Sequence, residues 1–396
     1  MSRIFVTGMG VISAVGNSVA ENRQGLVNAI CGIRNELNLF PTKYSGLLPF
    51  GQITASTDGL MKALGVSDPG VTRTSLLALH AFNEMLADAG LSLADLRSPE
   101  TALAGASTVG GMCLTDELYA DANKNSNGSP YTSSYDCASV NIFLQKHFGM
   151  NGIINTINTA CSSSANSIMY GAMLMKNGFA RRAVVGGVDS LAKYTINGFH
   201  ALHILSSEKC TPFDEHRKGL NLGEGAAFLL LEKEEDIAGK KVYAELTGYC
   251  NANDAFHPSS ISDEGDGPYL SMQGALNHAK LSAADISFIN AHGTGTENND
   301  ETESRAMIRL FKEPPAFSST KAYTGHTLGA AGAVEAVYSI LSLMHQEVYP
   351  TLRFTNRIPS TGLMPVPEYR KMPVQHVMSN SFGFGGNCSS LIFSQA

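Results

Sequence analysis

The chain of 396 residues is 43% hydrophobic and only 16% charged, with 39 glycines and no tryptophan, the balance of a deeply buried α/β protein and not of a disordered one. A formal charge of −7 argues against general nucleic-acid binding, which wants a basic surface, and any acidic partner must meet a local basic patch. Seven cysteines at irregular spacing, none in a C-x-x-C pair, speak against a disulfide framework or a structural zinc site and fit a reducing cytoplasm.

In chain order, Ser2 to Gly10 is an apolar stretch broken by glycines, which reads as a buried strand and turn and not as a signal peptide. No run is expected to reach the ~18 apolar residues that span a bilayer, so a soluble protein is expected. Short apolar runs then alternate with longer helical patterns, the signature of a layered α/β fold. Strands are predicted at Ile4 to Val6, Ala102 to Ala104, Ile153 to Ile157, Ala183 to Val185 and Phe228 to Leu231. Later ones are predicted at Val242 to Leu246, Ile286 to Asn290 and Leu391 to Phe393. The polar segment from Asp121 to Tyr135 reads as part of an inserted cap or loop layer, the kind of insertion that carries pocket walls and dimer contacts.

An internal repeat is visible. Phe5-Val6-Thr7-Gly8 resembles Glu245-Leu246-Thr247-Gly248, and Phe228 lies 67 residues after Cys161 just as Phe393 lies 67 after His326. Two related halves splitting near Gly239 explain both matches.

The run Ile153 to Ala165 is the most informative in the chain. An apolar strand ends, and Cys161 is predicted to open a narrow helix through Met175 that contains Ala165, Ser167, Gly171 and Ala172. A thiol at a helix N-terminus meets free N–H groups and the positive end of the dipole, and both favour the nucleophilic thiolate. The other six cysteines lack this setting and read as structural. By itself Cys161 also reads as a small buried hydrophobe.

Two histidines share a related context. The strand Ile286 to Asn290 delivers His292 in Ala291-His292-Gly293-Thr294-Gly295-Thr296, where glycines let the backbone approach a ligand and Thr294 and Thr296 offer hydroxyls to an extended substrate arm. Asp300 and Glu303 follow at i, i+3 spacing and are candidates to anchor a cation. In Ser318 to Glu335 a strand again feeds a Gly- and Ala-rich helix, with His326 near its start in the repeat position of Cys161. Glu335 is a charge in an apolar helix, so its burial demands a partner. Lys321 is the candidate partner, for His292 or for an acidic side chain. The nine remaining histidines read as surface or satisfied core residues. Near the C-terminus, Asn380 to Asn387 combines aromatics with glycines, suited either to an oxyanion hole with Phe384 as a gate over an acyl pocket or to a sharp turn between buried strands. A dinucleotide-binding reading fails, because no helix pattern or acidic residue follows.

Taken together, Thr159-Ala160-Cys161-Ser162-Ser163, Gly223-Glu224-Gly225-Ala226, Asn290 to Thr296, Lys321 through Glu335 and Asn380 to Gly386 resemble, in family order and over essentially the whole chain, the elongating β-ketoacyl-carrier-protein synthases of the thiolase superfamily. The resemblance implies a five-layered αβαβα thiolase fold built from two pseudo-repeated halves. Residues 1–240 would form the half with cap insertions that carries Cys161, and residues 241–396 the half that carries His292, Lys321 and His326. It implies that Cys161 takes an acyl group from the phosphopantetheine of an acyl carrier protein, and that a malonyl unit then loses carbon dioxide and attacks the acyl thioester. His292 and His326 would bind the malonyl thioester oxygen, with Lys321 and Glu335 supporting them. The N–H groups of Cys161 and Phe384 would hold the oxyanion, and Thr294, Thr296, Phe382 and Phe384 would bind substrate. No cofactor or metal is implied beyond the carrier's own arm. A homodimer is expected, or a heterodimer with a chain-length factor.

The resemblance would place carrier docking at Arg73 and Arg217, with Lys124 as a further candidate, although the helix around Thr72 to Ser75 has fewer basic residues than the family's usual patch. His326 separates the chain from priming synthases, which use Cys-His-Asn, and Cys388 lies outside the second-cysteine motif of degradative thiolases. Asn387-Cys388 departs from the family's usual Thr-Asn, which leaves both fatty-acid and polyketide or polyene pathways open. The alternatives are a non-condensing chain-length-factor-like subunit, against which intact Cys161 speaks, and a Cys/His hydrolase, which leaves the second histidine and Lys321 unexplained.

Overall fold

The computed structural model describes residues 2–68, 70–124, 129 and 135–396. The chain begins with β1 (Ile4–Ser13), α1 (Val19–Val27), α2 (Thr57–Leu64), α3 (Arg73–Ala89), α4 (Leu93–Arg97), β2 (Thr101–Ala106), α5 (Thr115–Ala122) and α6 (Ser139–Phe148). It continues through β3 (Ile154–Ile157), α7 (Ser163–Lys176), β4 (Arg182–Asp189), α8 (Lys193–Ala201) and β5 (Gly225–Lys233). Next come β6 (Ala244–Asn253), α9 (Asp266–Ala279), β7 (Phe288–Asn290), α10 (Glu297–Phe311), β8 (Ala316–Ser318), α11 (Lys321–Thr324) and α12 (Ala331–His345). A small ribbon of β9 (Glu347–Val348) and β10 (Arg370–Lys371) precedes β11 (His376–Phe382) and β12 (Asn387–Ser394). In the segment from Asp121 to Tyr135 that reads as an insertion, residues 125–128 and 130–134 lie outside the described residues.

Hydrogen bonding runs through the order β3-β2-β4-β5-β1-β6-β12-β11-β7-β8. Read outward from the β1–β6 junction, both arms show the same pattern: two antiparallel pairings followed by two parallel ones. The junction itself is thin, with Phe5 opposite Glu245 and Val6 opposite Ala244.

The alternation of side chains along each strand assigns the layers. In β5, Ala227, Leu229 and Leu231 face a central core, while Ala226, Phe228 and Leu230 face an outer one. The central core is filled by α7 (Ala165, Ile168, Ala172) and α12 (Ala333, Val337, Ile340). Outside the first arm lie α3 and α6, represented by Leu76, Phe82 and Leu144. Outside the second lie α9 and α10, represented by Met272, Leu276 and Met307. The result is five layers, α-β-α-β-α. Strands covered on both faces read as continuous apolar runs, which is why the sequence reveals them.

Some strands extend beyond their predicted cores, β1 to Ser13 and β6 to Asn253, whereas β3 and β7 begin later than predicted, at Ile154 and Phe288. One stretch, Leu328–His345, is long and apolar enough to cross a membrane, contrary to the expectation that no run reaches that length; it is 89% buried as the central-layer helix α12 with its preceding turn.

Candidate active site

β3 ends beside the central layer, and the chain turns through Ala160, held at φ +52°, before Cys161. Such a left-handed alanine is strained by about 1 kcal/mol. It is fixed by Ser163, whose backbone N–H (3.1 Å) and hydroxyl (2.5 Å) both donate to the Ala160 carbonyl. The helix opens at Ser163, so Cys161 sits on the elbow before it and not at its first turn. Burial pushes the Cys161 thiol up to about 11, outweighing the Lys321 charge and the N–H groups of Phe384 and Cys161 itself, all of which favour the thiolate. The N–H groups favour the thiolate, as the sequence reading expects, but desolvation is the larger effect.

His292 leaves β7 in a loop pinned from behind. Its N–H and that of Gly293 each donate to Glu303 at 2.9 Å, and Asp300 accepts from Phe213 (2.7 Å) and Gly295 (3.1 Å). Asp300 and Glu303 thus brace the backbone, each also with a side-chain cation near it, Arg217 for Asp300 and Lys321 for Glu303. Gly293 is required here, because a Cβ would lie 2.6 Å from both Ser319 and the Phe213 ring.

The His326 segment threads beside the Gly223-Glu224-Gly225 motif. The His326 N–H donates to Asn221 O (2.7 Å) and Gly223 N–H donates to His326 O (2.9 Å). A Cβ on Gly223 would meet Thr324 O at 2.2 Å, which gives that motif its physical reason.

Lys321 is fully enclosed and spends all three N–H groups, on Glu335 Oε1 (2.5 Å), His292 O (2.7 Å) and His292 Nδ1 (3.2 Å). An ammonium has no lone pair, so His292 Nδ1 must accept and the neutral ring carries its proton on Nε2. Burial and the adjacent cation hold His292 and His326 well below the usual histidine range, so both are neutral at pH 7. The two rings stand edge to face with centroids 5.3 Å apart, and among the described residues neither nitrogen of His326 has a hydrogen-bond partner.

The ligand-capable atoms of Cys161, His292 and His326 lie within 4.8 Å of one another, the composition of a soft-metal triad. The Lys321 ammonium disfavours a cation there and locks a proton on the nitrogen that would have to ligate.

Two cavities meet at Cys161. The larger, about 450 Å³, is lined by His292, His326, Thr294, Thr296, Phe382 and Phe384, among others, and carries Lys218. The smaller, about 210 Å³, lies toward Thr108, Thr195 and Leu328. Phe199 and Phe384 line both and stack at 5.8 Å and 17°. Thr294 and Thr296 hydrogen-bond each other through their hydroxyls at 2.9 Å.

The sequence reading misses Phe199, one of two aromatics with Tyr194 in α8, whose role needs the fold to bring it to Phe384. Two of the assigned docking residues are corrected. Arg73 is 6% exposed and forms a two-pronged pair with Glu224 at 2.6 and 2.9 Å. Arg217 is 7% exposed and donates to the carbonyls of Asp214, Thr296 and Glu297. Both guanidiniums hold the interior together and are closed to a carrier. Lys124 is exposed.

Comparison with known families agrees with this architecture. Residues 1–237 match the β-ketoacyl synthase N-terminal domain and residues 243–355 the β-ketoacyl synthase C-terminal domain. The chain belongs to the β-ketoacyl synthase family. It is 31% identical to 3-oxoacyl-[acyl-carrier-protein] synthase 2 of Vibrio harveyi, covering 99% of this chain and 98% of that one. Its structure matches the ishigamide ketosynthase/chain length factor with a TM-score of 0.92 at 28% identity, covering 100% of this chain and 99% of the other. It also matches the ketosynthase ApeO in complex with its chain length factor ApeC from Xenorhabdus doucetiae, TM-score 0.86 at 31% identity, covering 100% and 98%. The five layers are those of the thiolase fold, and the chain is a condensing enzyme of the acyltransferase class.

Proposed function

We propose that the chain condenses an acyl group held on Cys161 with malonyl-carrier protein, releasing carbon dioxide and giving 3-oxoacyl-carrier protein. The observation that carries this reading is the convergence of one enclosed thiol and two neutral histidines, one of them tautomer-locked by Lys321, in a cavity suited to an extended arm.

In the first half-reaction the Cys161 sulfur attacks the incoming thioester. Its proton passes to the unpartnered His326 ring and on to the departing pantetheine sulfur. In the second, the Nε2–H of His292 and an N–H of His326 donate to the malonyl thioester oxygen, so negative charge gathers there as the carboxylate leaves as carbon dioxide. The enolate carbon attacks the acyl carbon, and the N–H groups of Cys161 and Phe384 hold the oxyanion. The C–S bond then breaks, and the Cys161 sulfur, basic in this buried setting, regains a proton from water.

Glu335 anchors Lys321 in this scheme, and Phe382, Phe384, Thr294 and Thr296 line the path of the arm. Lys218, which lines the larger cavity, and exposed Lys124 are the candidate cations for the carrier. The chain would work without a bound cofactor, in the cytoplasm, as a homodimer or beside a chain-length factor as ApeO is with ApeC. The division into residues 1–240 and 241–396 would follow the β1–β6 junction.

Mass spectrometry after exposure to acyl-carrier protein tests the reading. One acyl adduct on Cys161 is expected, lost in Cys161→Ala. Cys161→Gln should still release carbon dioxide from malonyl-carrier protein. An adduct elsewhere, or none, would sink the mechanism.

A further inference from the structure

Asp189, the last residue of β4, is fully buried and takes no part in the chemistry above. Its Oδ1 accepts from the Ser107 hydroxyl (2.9 Å) and the N–H groups of Thr108 and Val109 (both 2.8 Å). Its Oδ2 accepts from the Thr108 hydroxyl (2.5 Å) and from Gly329 N–H (2.7 Å). These donors come from two separate segments, and each contributes a lining residue of the smaller cavity, Thr108 from one and Leu328 from the other.

Leu328 sits at φ +52°, a left-handed conformation that a side chain with a Cβ avoids. The next residue, Gly329, gives Asp189 the bond that holds that turn. A Cβ on Gly329 would lie 2.8 Å from the Asp189 carboxylate and 3.0 Å from the Thr108 methyl, so the two segments meet across this one carboxylate.

We propose that Asp189 is a positioning residue for acyl-chain length: it clamps Leu328 beside Thr108 in the lining of the smaller cavity, and so sets how long an acyl group Cys161 accepts. The inference rests on the assignment of Cys161 as the acyl carrier. Released from Asp189, Leu328 relaxes from its left-handed conformation and withdraws from the cavity, which deepens it.

The test compares acylation of Cys161 by hexanoyl- and dodecanoyl-pantetheine thioesters, followed by mass spectrometry, in the full chain and in two variants. Asp189→Asn keeps an oxygen for Ser107, Thr108 and Val109 but turns an NH₂ toward Gly329. It should raise the dodecanoyl-to-hexanoyl rate ratio about tenfold, the scale at which a change of pocket shape discriminates apolar chains. Thr108→Val removes one bond to Asp189 at nearly constant size and should move the ratio the same way by about half as much on a logarithmic scale. It also keeps the question answerable if Asp189→Asn does not fold. An unchanged ratio in Thr108→Val together with an equal fall at both chain lengths in Asp189→Asn, or an unchanged ratio in Thr108→Val alone where Asp189→Asn does not fold, overturns the proposal. Absence of any adduct on Cys161 in the unaltered protein instead removes the reading on which it rests.

Discussion

At Lys321, one ammonium closes three contacts that otherwise have no reason to coincide: a carboxylate, a backbone carbonyl and a ring nitrogen. The ring contact fixes the His292 tautomer, and the charge lowers the affinity of both histidines for a proton. Lys321→Met therefore does two separable things. It frees the His292 ring to take the wrong tautomer, which should cut malonyl decarboxylation by about 10²–10³-fold, the usual scale for losing an oriented donor. It also removes a cation that holds the His292 pKa down, so that pKa rises toward the ordinary value. A neutral ring is the working form, so the acid limb of the decarboxylation profile should move to higher pH. Carbon dioxide release measured from pH 5 to 8 checks both effects, and a fall in rate with an unmoved limb would assign Lys321 a purely packing role.

The two central helices show how an element's sequence serves the site. α7 and α12 follow Cys161 and His326, and they touch where Gly332 meets Ala165: a Cβ on Gly332 would lie 2.7 Å from Ala165 N and 2.9 Å from its Cβ. Gly332→Ala should drive the helices apart, lowering stability by about 1–3 kcal/mol, the range for overpacking. Urea unfolding combined with rates of Cys161 acylation tests this, since widening that contact separates thiol from imidazole and both readings should fall together. The same close packing explains where sequence reading stops short. Gly8 and Gly10 look like the end of a strand, yet β1 runs on, because a Cβ at Gly10 would lie 2.0 Å from Ala81 O on α3 and one at Gly8 would lie 2.5 Å from the Ala89 Cβ. Strand β11 is hidden for a different reason. Ser379, Asn380 and Ser381 look like loop, but they are buried in the sheet, with Asn380 bonded to Ser390 and Glu303. Cys161, His292, His326 and Lys321 are legible because each follows a strand end, Cys161 before a serine- and alanine-rich helix and the others in glycine-rich runs. Asp189 and Phe199 are not, since the partners that give them meaning are distant in the chain.

Over the whole molecule, the paired spacing of Cys161 to Phe228 and His326 to Phe393 corresponds to strands β5 and β12, which hold equivalent places in the two arms of the sheet order. Bringing the arms together buries titratable groups, and their linkage sets how stability responds to pH. Burial pushes Glu303 up to about 7, against an ordinary value of 4.5. Between those values the folded chain keeps a proton that the unfolded chain has released, so this group's contribution declines as pH rises from about 4.5 through 7, by about 3 kcal/mol in all. The buried histidines act in the opposite sense, because their folded-state pKa values are depressed: their contribution declines as pH falls below 6.5. The two trends oppose each other in the unaltered protein, and comparison with Glu303→Gln isolates the Glu303 part. A glutamine has no proton to lose, so the variant keeps the histidine trend and that of the other buried carboxyls, Glu335 foremost, which burial also pushes up to about 7. Its urea midpoint should start lower at pH 5, since the Nε2 group faces Gly293 N–H, but should lose less stability on going to pH 8 than the unaltered chain does. Equal losses in the two proteins would mean that Glu303 titrates in its ordinary range and that the loop carrying His292 is wetter than the structure implies.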